Sequence, residues 1–373
     1  MKKTLLLVAF LMAFSMGYST THIVDLAGGG DFTSLHDAVD DANAGDTILV
    51  MSGTFLLPAE AGAIMVNSEL HIMGSGYDLP EDGGSYLYSS TAIFNFSADA
   101  DGSTLSGFRM HGSGAPLIDV LADDMVIENN HIVNNYNQGW ALMFRPGVAS
   151  DTLRNNIIGS ETPSYRPGVQ VYQTTDVTVN NNIFYNGNWY GSVYVDGNTS
   201  AVVSNNLFLS TSIGVYYTGS STATIVNNIF MNGFGGGGGQ IYQASGSPTI
   251  SDNCFYNNVT DGDVGNAAIL DDPEFVNFDA NDTYNSVSYD NESFDFHFQT
   301  GATVDSTCID AGYELVDFND LDGSQNNLGN YGWRWPMSSN GAPPMPLINK
   351  ISVTPPNPSD GTISIEVIGR FGE

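Results

Sequence analysis

IENNHI (residues 127–132), LRNNII (153–158), VNNNIF (179–184), VSNNLF (203–208), IVNNIF (225–230) and ISDNCF (250–255) are one phrase written six times. Its second Asn falls at 130, 156, 182, 206, 228 and 253, in steps of 26, 26, 24, 22 and 25 residues. A repeat of this length makes the chain a solenoid. Leucine-rich and helical solenoids need Leu-rich or amphipathic helical segments in every unit, and none occur here. Each unit instead holds short alternating runs of Val, Ile, Tyr and Phe broken by Asn, Gly, Ser, Thr and Asp, the composition of strands separated by turns. The period fits one coil of a parallel β-helix, with successive coils about 4.8 Å apart, so that residues at one phase form a column. Stacked Asn amides can then bond one another and the turn backbone, and Asn tolerates the left-handed conformation of a sharp turn. The Ile/Leu and Ile/Phe positions after each Asn pair are expected to face inward, Cys254 replacing one of them.

These NN-x-[IL]-F coils resemble the right-handed parallel β-helix proteins of the pectate-lyase-like superfamily, over roughly residues 21–335. The expected fold is therefore all-β, a right-handed parallel β-helix of about ten coils. The resemblance specifies a fold, not a function. The opening IVDLAGGGDFTSLHDAVDDANAGDTILVMSGTF (residues 23–55) resembles the entry of β-helix lyases and esterases. It predicts a short helix, with Leu35, Ala38, Val39 and Ala42 on one face, Ser34 and Asp37 as a capping box and Gly45 as its stop, laid over the unpaired first coil. Strands are expected at 48–50, 64–66, 70–72 and 92–96, with a polar loop at 74–90.

Residues 1–19 carry Lys2 and Lys3, an apolar run and small residues, the pattern of a secretory signal peptide. No later segment is apolar enough to span a membrane. The full chain has a net charge of -32; without that leader seven basic residues face 41 acidic ones, or -34. Such a charge speaks against nucleic acid or anionic membrane as partner. It suits a salty exterior, cationic partners or calcium, and the expected protein is a secreted or cell-surface monomer that meets a polysaccharide or cell-surface glycan.

A second run precedes each Asn phrase by about ten residues. Aligning Ile118, Met143, Val169, Val193, Val215 and Ile241 as inward positions turns Asp119, Phe144, Gln170, Tyr194, Tyr216 and Tyr242 outward. Tyr172, Asp196 and Thr218 lie two places on, and Trp140 and Trp189 stand just before the same strand. A stripe of Trp140, Phe144, Tyr172, Trp189, Tyr194, Tyr216 and Tyr242 matches the apolar faces of sugar rings. Plain stacking by aromatic residues of high β-propensity is the competing reading.

Resemblance to β-helix lyases implies proton removal α to a carboxylate, with Asp-held calcium neutralising the acid. No Lys lies between Lys3 and Lys350, so arginine remains possible as the base: Arg145 ends an outward strand and Arg166 stands just before the next. Asp124, Asp151 and Asp176 fall at about one turn of three successive coils, a row that suits calcium or a glycosidase carboxyl pair. The alternative is a row of solvated turn residues. HExxH, CxxC and Walker sequences are absent, and GFGGGGG (233–239) is read as a loop because no helix follows it.

The only cysteines, Cys254 and Cys308, read as buried thiols, with a disulfide open to a secreted chain. DDPEFVNF (271–278), FDFHFQTGATVDSTCIDAG (294–312) and DLDGSQNNLGNYGW (320–333) resemble the choice-of-anchor Q ending of secreted bacterial β-helix proteins, with Asn327 and Leu328 where Asp and Ile are usual. Asp317, Asp320 and Asp322 are candidate calcium ligands there, weighed against structural turn acids. After a Pro-rich linker (336–347), residues 348–373 resemble the start of an Ig-like type IX secretion or FlgD-like module. Three functions are compatible with this pattern. A flat aromatic stripe would favour carbohydrate binding, a groove enclosing Arg and Asp a polysaccharide lyase or glycoside hydrolase, and tyrosines packed under loops a structural or adhesive scaffold.

Overall fold

The computed structural model describes residues 19–77, 83–161, 168–187, 190–235, 238–278, 295–299, 306–314, 319–320, 323–332, 347–354 and 364–370. Three parallel sheets of ten, nine and eight strands run the length of a β-solenoid, each coil contributing one strand to each sheet in turn. One coil reads Val126–Glu128 in the first sheet, His131–Asn134 in the second and Leu142–Phe144 in the third. The next coil pairs onto it in register, Ile127 beside Leu153 and Ile132 beside Ile158.

The Asn pair occupies the turn between the first and second sheets, and its two members do different work. The first, at 129, 155, 181, 205 and 227, with Asp252 in the last phrase, holds φ between 52° and 61° and so makes the left-handed bend. The second is buried in a continuous ladder. Asn156 Oδ1 accepts from both the backbone N–H and the side-chain Nδ2 of Asn130, at 3.0 and 3.1 Å. Asn156 Nδ2 donates in turn to Asn182 Oδ1 and to the Ile127 and Arg154 carbonyls. The same pattern continues through Asn206 and Asn228 to Asn253. Each amide thus satisfies backbone groups of its own turn and of the preceding coil, groups that burial would otherwise leave unpaired.

Inside, Phe184, Phe208, Phe230 and Phe255 stack at centroid spacings of 5.0, 4.7 and 5.0 Å. Only this column, continued by Ile132 and Ile158, joins the core of the solenoid. Ile157, Ile183, Leu207, Ile229 and Cys254, expected to face inward as well, point out of the second sheet and are buried under the closing segment, against Phe275, Cys308 and Leu328. The closing segment is a strap. Asn181 Nδ2 donates to the Asn330 and Gly332 carbonyls, Asn205 Nδ2 to Asn326 Oδ1 and the Asn327 carbonyl, and Asn227 Oδ1 accepts the Tyr313 N–H. The bend-making Asn of three coils therefore doubles as the strap's anchor.

The helix spans Leu35–Asp41, with Ser34 Oγ accepting the Asp37 N–H and Leu35, Ala38 and Val39 buried. It packs on the strands Thr21–Val24, Asp46–Val50 and Ile64–Val66 at the first edge. At the other edge, Gly262, Asn266 and Ile269 bridge to Ile241, Ser251 and Cys254 as a partial further coil. The segment read as a loop at 74–90 contains the strand Ser85–Ser89, paired with Gly53–Leu57 and Phe108–Gly112. A separate antiparallel pair, Leu347–Thr354 with Ser364–Arg370, occupies the region expected to hold two strands.

Both cysteines are fully buried and side by side, the two thiols in hydrogen-bonding contact. Mild oxidation of the folded chain by a small-molecule disulfide is expected to join Cys254 to Cys308, read as a crosslinked peptide in a non-reducing mass map. Recovery of both thiols unmodified even after unfolding and refolding in the same oxidant would show the pair to be held apart. Asn206→Ala is expected to destabilise the solenoid by roughly 2–4 kcal/mol in urea unfolding, since it strips partners from the Asn182 N–H and the Val179 and Ser204 carbonyls at once.

Candidate functional site

The outer face of the third sheet carries the aromatic stripe. Strand pairing sets its first outward column as Met65, Asn95, Asp119, Met143, Gln170, Tyr194, Tyr216 and Tyr242. Phe144, assigned to the stripe from the sequence, is instead fully buried in the core beside Val120 and Val171. Its neighbour Met143 takes the outward place. The run Leu142–Met143–Phe144 has no polar residue to mark its solvent side, and a slip of one residue exchanges the faces of a strand.

Tyr194, Tyr216 and Tyr242 are half-buried and lie over one another, with centroids 5.0 and 4.9 Å apart. Trp140 extends the stack, its ring 5.3 Å from that of Tyr194. Tyr172 lies in the second outward column, beside Asp196, and is also half-buried. Tyr190, which is exposed, lies near enough to Tyr194 and Tyr216 to help raise the pKa of both hydroxyls. Sequence reasoning passed over Tyr190 because it precedes the strand and has no counterpart in the repeat. Trp189 lies outside the described residues.

Polar groups flank the stack. Asp196 Oδ2 accepts the Tyr194 hydroxyl at 3.3 Å and Oδ1 accepts the Gly197 N–H at 2.6 Å. Burial, followed by the Asp196 charge, pushes Tyr194 up to about 12, so its hydroxyl stays protonated as a donor. Two coils toward the N-terminal end, Arg145 grips Asp119 with both Nε and Nη2, at 2.5 and 2.9 Å. That fork raises the guanidinium pKa further. A base must give up its proton before it can act, so Asp119 works against Arg145 in that role. Arg166 lies outside the described residues.

The expected row Asp124, Asp151 and Asp176 resolves into two sets. Asp124 and Asp176 share a left-handed turn position with Ser150 between them, at φ of 56°, 54° and 62°. Asp176 accepts the Ser200 hydroxyl. Asp151 comes one residue after that position and turns into the wall of the solenoid, fully buried in the column of Met125 and Val177. Its Oδ1 accepts the Met125 N–H at 2.9 Å, while Oδ2 has no partner. Three carboxylates in line are thus not available on one surface. At the strap, Asp320 Oδ2 accepts the Asn327 N–H, a turn-holding bond, and Asp317 and Asp322 lie outside the described residues. Among the described residues no three His, Cys, Asp or Glu side chains gather as a metal-holding group. Among them also, no helix is long and apolar enough to cross a membrane.

A family model described as the right-handed beta helix region matches residues 68–230 and, overlapping, 146–280. The crystal structure of pectate lyase Pel9A superposes with a TM-score of 0.55 at 14% identity, over 86% of this chain and 98% of that one. An alginate lyase from Paenibacillus sp. str. FPU-7 gives 0.42 at 18% identity, over 67% and 95% of the two chains. A pectin methylesterase from Aspergillus niger gives 0.27 at 14%, over 69% and 81%. No curated protein matches the sequence. At such identity the pectate lyase shows a shared fold alone, and the two lower scores add no argument.

Burial, reinforced by the charges of Asp123, Asp124 and Asp101, raises Asp151 from the usual 3.8 to about 7. The folded chain binds this proton more tightly than the unfolded one. Asp151 therefore takes away stability as pH rises from about 4 through about 7, by up to about 4 kcal/mol. Asp151→Asn keeps the acceptor for Met125 and is expected to flatten the dependence of Tm on pH across that window. An unchanged slope in thermal melts from pH 4 to 8 would remove Asp151 as its source.

Proposed function

The chain belongs to the right-handed β-helix family, and on that premise we propose that it binds a polysaccharide along the outer face of its third sheet. The observation that carries the reading is the register-locked stack of Trp140, Tyr194, Tyr216 and Tyr242, one tyrosine per coil over three coils, left half-exposed. Apolar rings exposed in contiguous series are a binding surface in waiting, and tyrosine adds a polar edge to each. Gln170 and Asp196 border the stack with amide and carboxylate groups suited to sugar hydroxyls. We read the residues before Thr20 as a secretion leader, and the antiparallel pair at 347–370 as part of a surface-sorting module. Both suit a life outside the cell, where such polymers lie.

The lyase reading takes support from the pectate lyase that shares the fold. It is weakened by the Asp119 grip on Arg145 and by the separation of Asp151 from Asp124 and Asp176. Binding along the stripe needs neither a base nor a calcium ion.

A glycan array on the mature protein, read together with an assay for ultraviolet-absorbing unsaturated products with and without calcium, tests the proposal. Binding without product is expected, reduced at least tenfold by Tyr194→Ala with Tyr216→Ala while the melting temperature stays within a few degrees. Unsaturated ends that vanish in Arg145→Ala or Arg166→Ala would make the protein a lyase. Absence of both signals would leave a scaffold.

A further inference from the structure

Asp196 sits among phenol rings on the aromatic stripe: Tyr194 donates to it at 3.3 Å, and its charge reaches Tyr216. Tyr190 acts on the same two rings and is 44% exposed. Among the described residues no Lys, Arg or His lies within ion-pair distance of Asp196. Its two contacts, the Gly197 N–H and the Tyr194 hydroxyl, are neutral donors and leave the negative charge uncompensated.

Farther along the same face, Arg145 is the reverse case. Two of its donors are committed to Asp119, so the guanidinium is matched by a carboxylate already in place. The positions between them on the first column, Met143 and Gln170, are uncharged. Among the described residues of the two outward columns, a polymer lying along the stack would therefore meet one uncompensated charge, and that charge is negative. The whole chain, at -32, repels a polyanion and draws a polycation at long range.

Resting on the polysaccharide reading, we propose that Asp196 with the rings of Tyr190, Tyr194 and Tyr216 forms a subsite for a protonated amine, and that the stripe accordingly takes an amino-sugar polymer rather than a polyuronate. A carboxylate bordered by aromatic faces suits an ammonium group on both counts, an ion pair at the edge and cation–π attraction from the rings. A uronate in the same place would set like charge against Asp196 with the Arg145 fork already occupied.

The test is calorimetric titration at pH 5.5 and fixed salt with three oligomers of equal length: fully deacetylated glucosamine, N-acetylglucosamine and galacturonate. The glucosamine oligomer is expected to bind at least tenfold more tightly than its acetylated counterpart, and the galacturonate more weakly than either. Asp196→Asn should erase the difference between the first two by weakening the glucosamine oligomer at least tenfold, and Tyr216→Ala should weaken both. Equal or tighter binding of the acetylated or uronate oligomer would overturn the amine subsite and leave the polysaccharide reading standing. A glucosamine preference that survives Asp196→Asn would assign it to the diffuse charge of the chain, and the subsite would fall. No binding by any of the three would sink the polysaccharide reading itself, and the subsite with it.

Discussion

A buried side-chain amide that bonds the backbone of its own turn and of the coil before it is the constraint on which this molecule depends. A solenoid must turn sharply three times per coil, and every turn leaves N–H and C=O groups that the sheets do not use. Asn130, Asn156, Asn182, Asn206, Asn228 and Asn253 meet that demand in a single column, each accepting from the coil before and, as far as Asn228, donating to the coil after. Because the ladder needs one Asn at one place per coil, it also sets the register of the strands on either side. The aromatic column inside depends on it: Phe184, Phe208, Phe230 and Phe255 are two places beyond the ladder and stack nearly flat.

The same register separates the faces of the molecule. From Ile157 to Cys254 the second sheet is apolar on both sides, because the strap covers its outer surface there with Phe275, Phe278 and Leu328. The third sheet keeps its aromatic face half-open, and so the binding proposal falls there. Arg145 with Asp119 and the group around Asp196 lie at successive heights on this face, one internally balanced and the other not.

Much of this was legible in the sequence, and the parts that were not share a cause. The Asn phrase gave the coil, and the Ser34 cap gave the helix, because polar residues with special geometry mark their positions. Where two adjacent residues are both apolar, alternation carries no sign of direction. Phe144 and Met143 exchanged places for that reason, and of the two apolar positions after each Asn pair, both expected to face inward, the first faces out and is buried under the strap. The carboxylate row failed differently. The two coils are each 26 residues long, but Asp151 follows Asp124 by 27 and precedes Asp176 by 25, so it fell one place past the turn position that Ser150 holds, from solvent into the wall. The strap's grip on Asn181, Asn205 and Asn227 spans more than 80 residues of sequence and has no local pattern.

That grip bears on how the chain assembles. A stack of repeats held only by nearest neighbours can zip up from any point and can also zip up wrongly, since a coil displaced by one residue still finds strands to pair with. The strap bonds three bend-making Asn in consecutive coils at once, and a slipped coil would present the wrong side chain to it. The bonds of the last segment are therefore available only to coils that stand in this register.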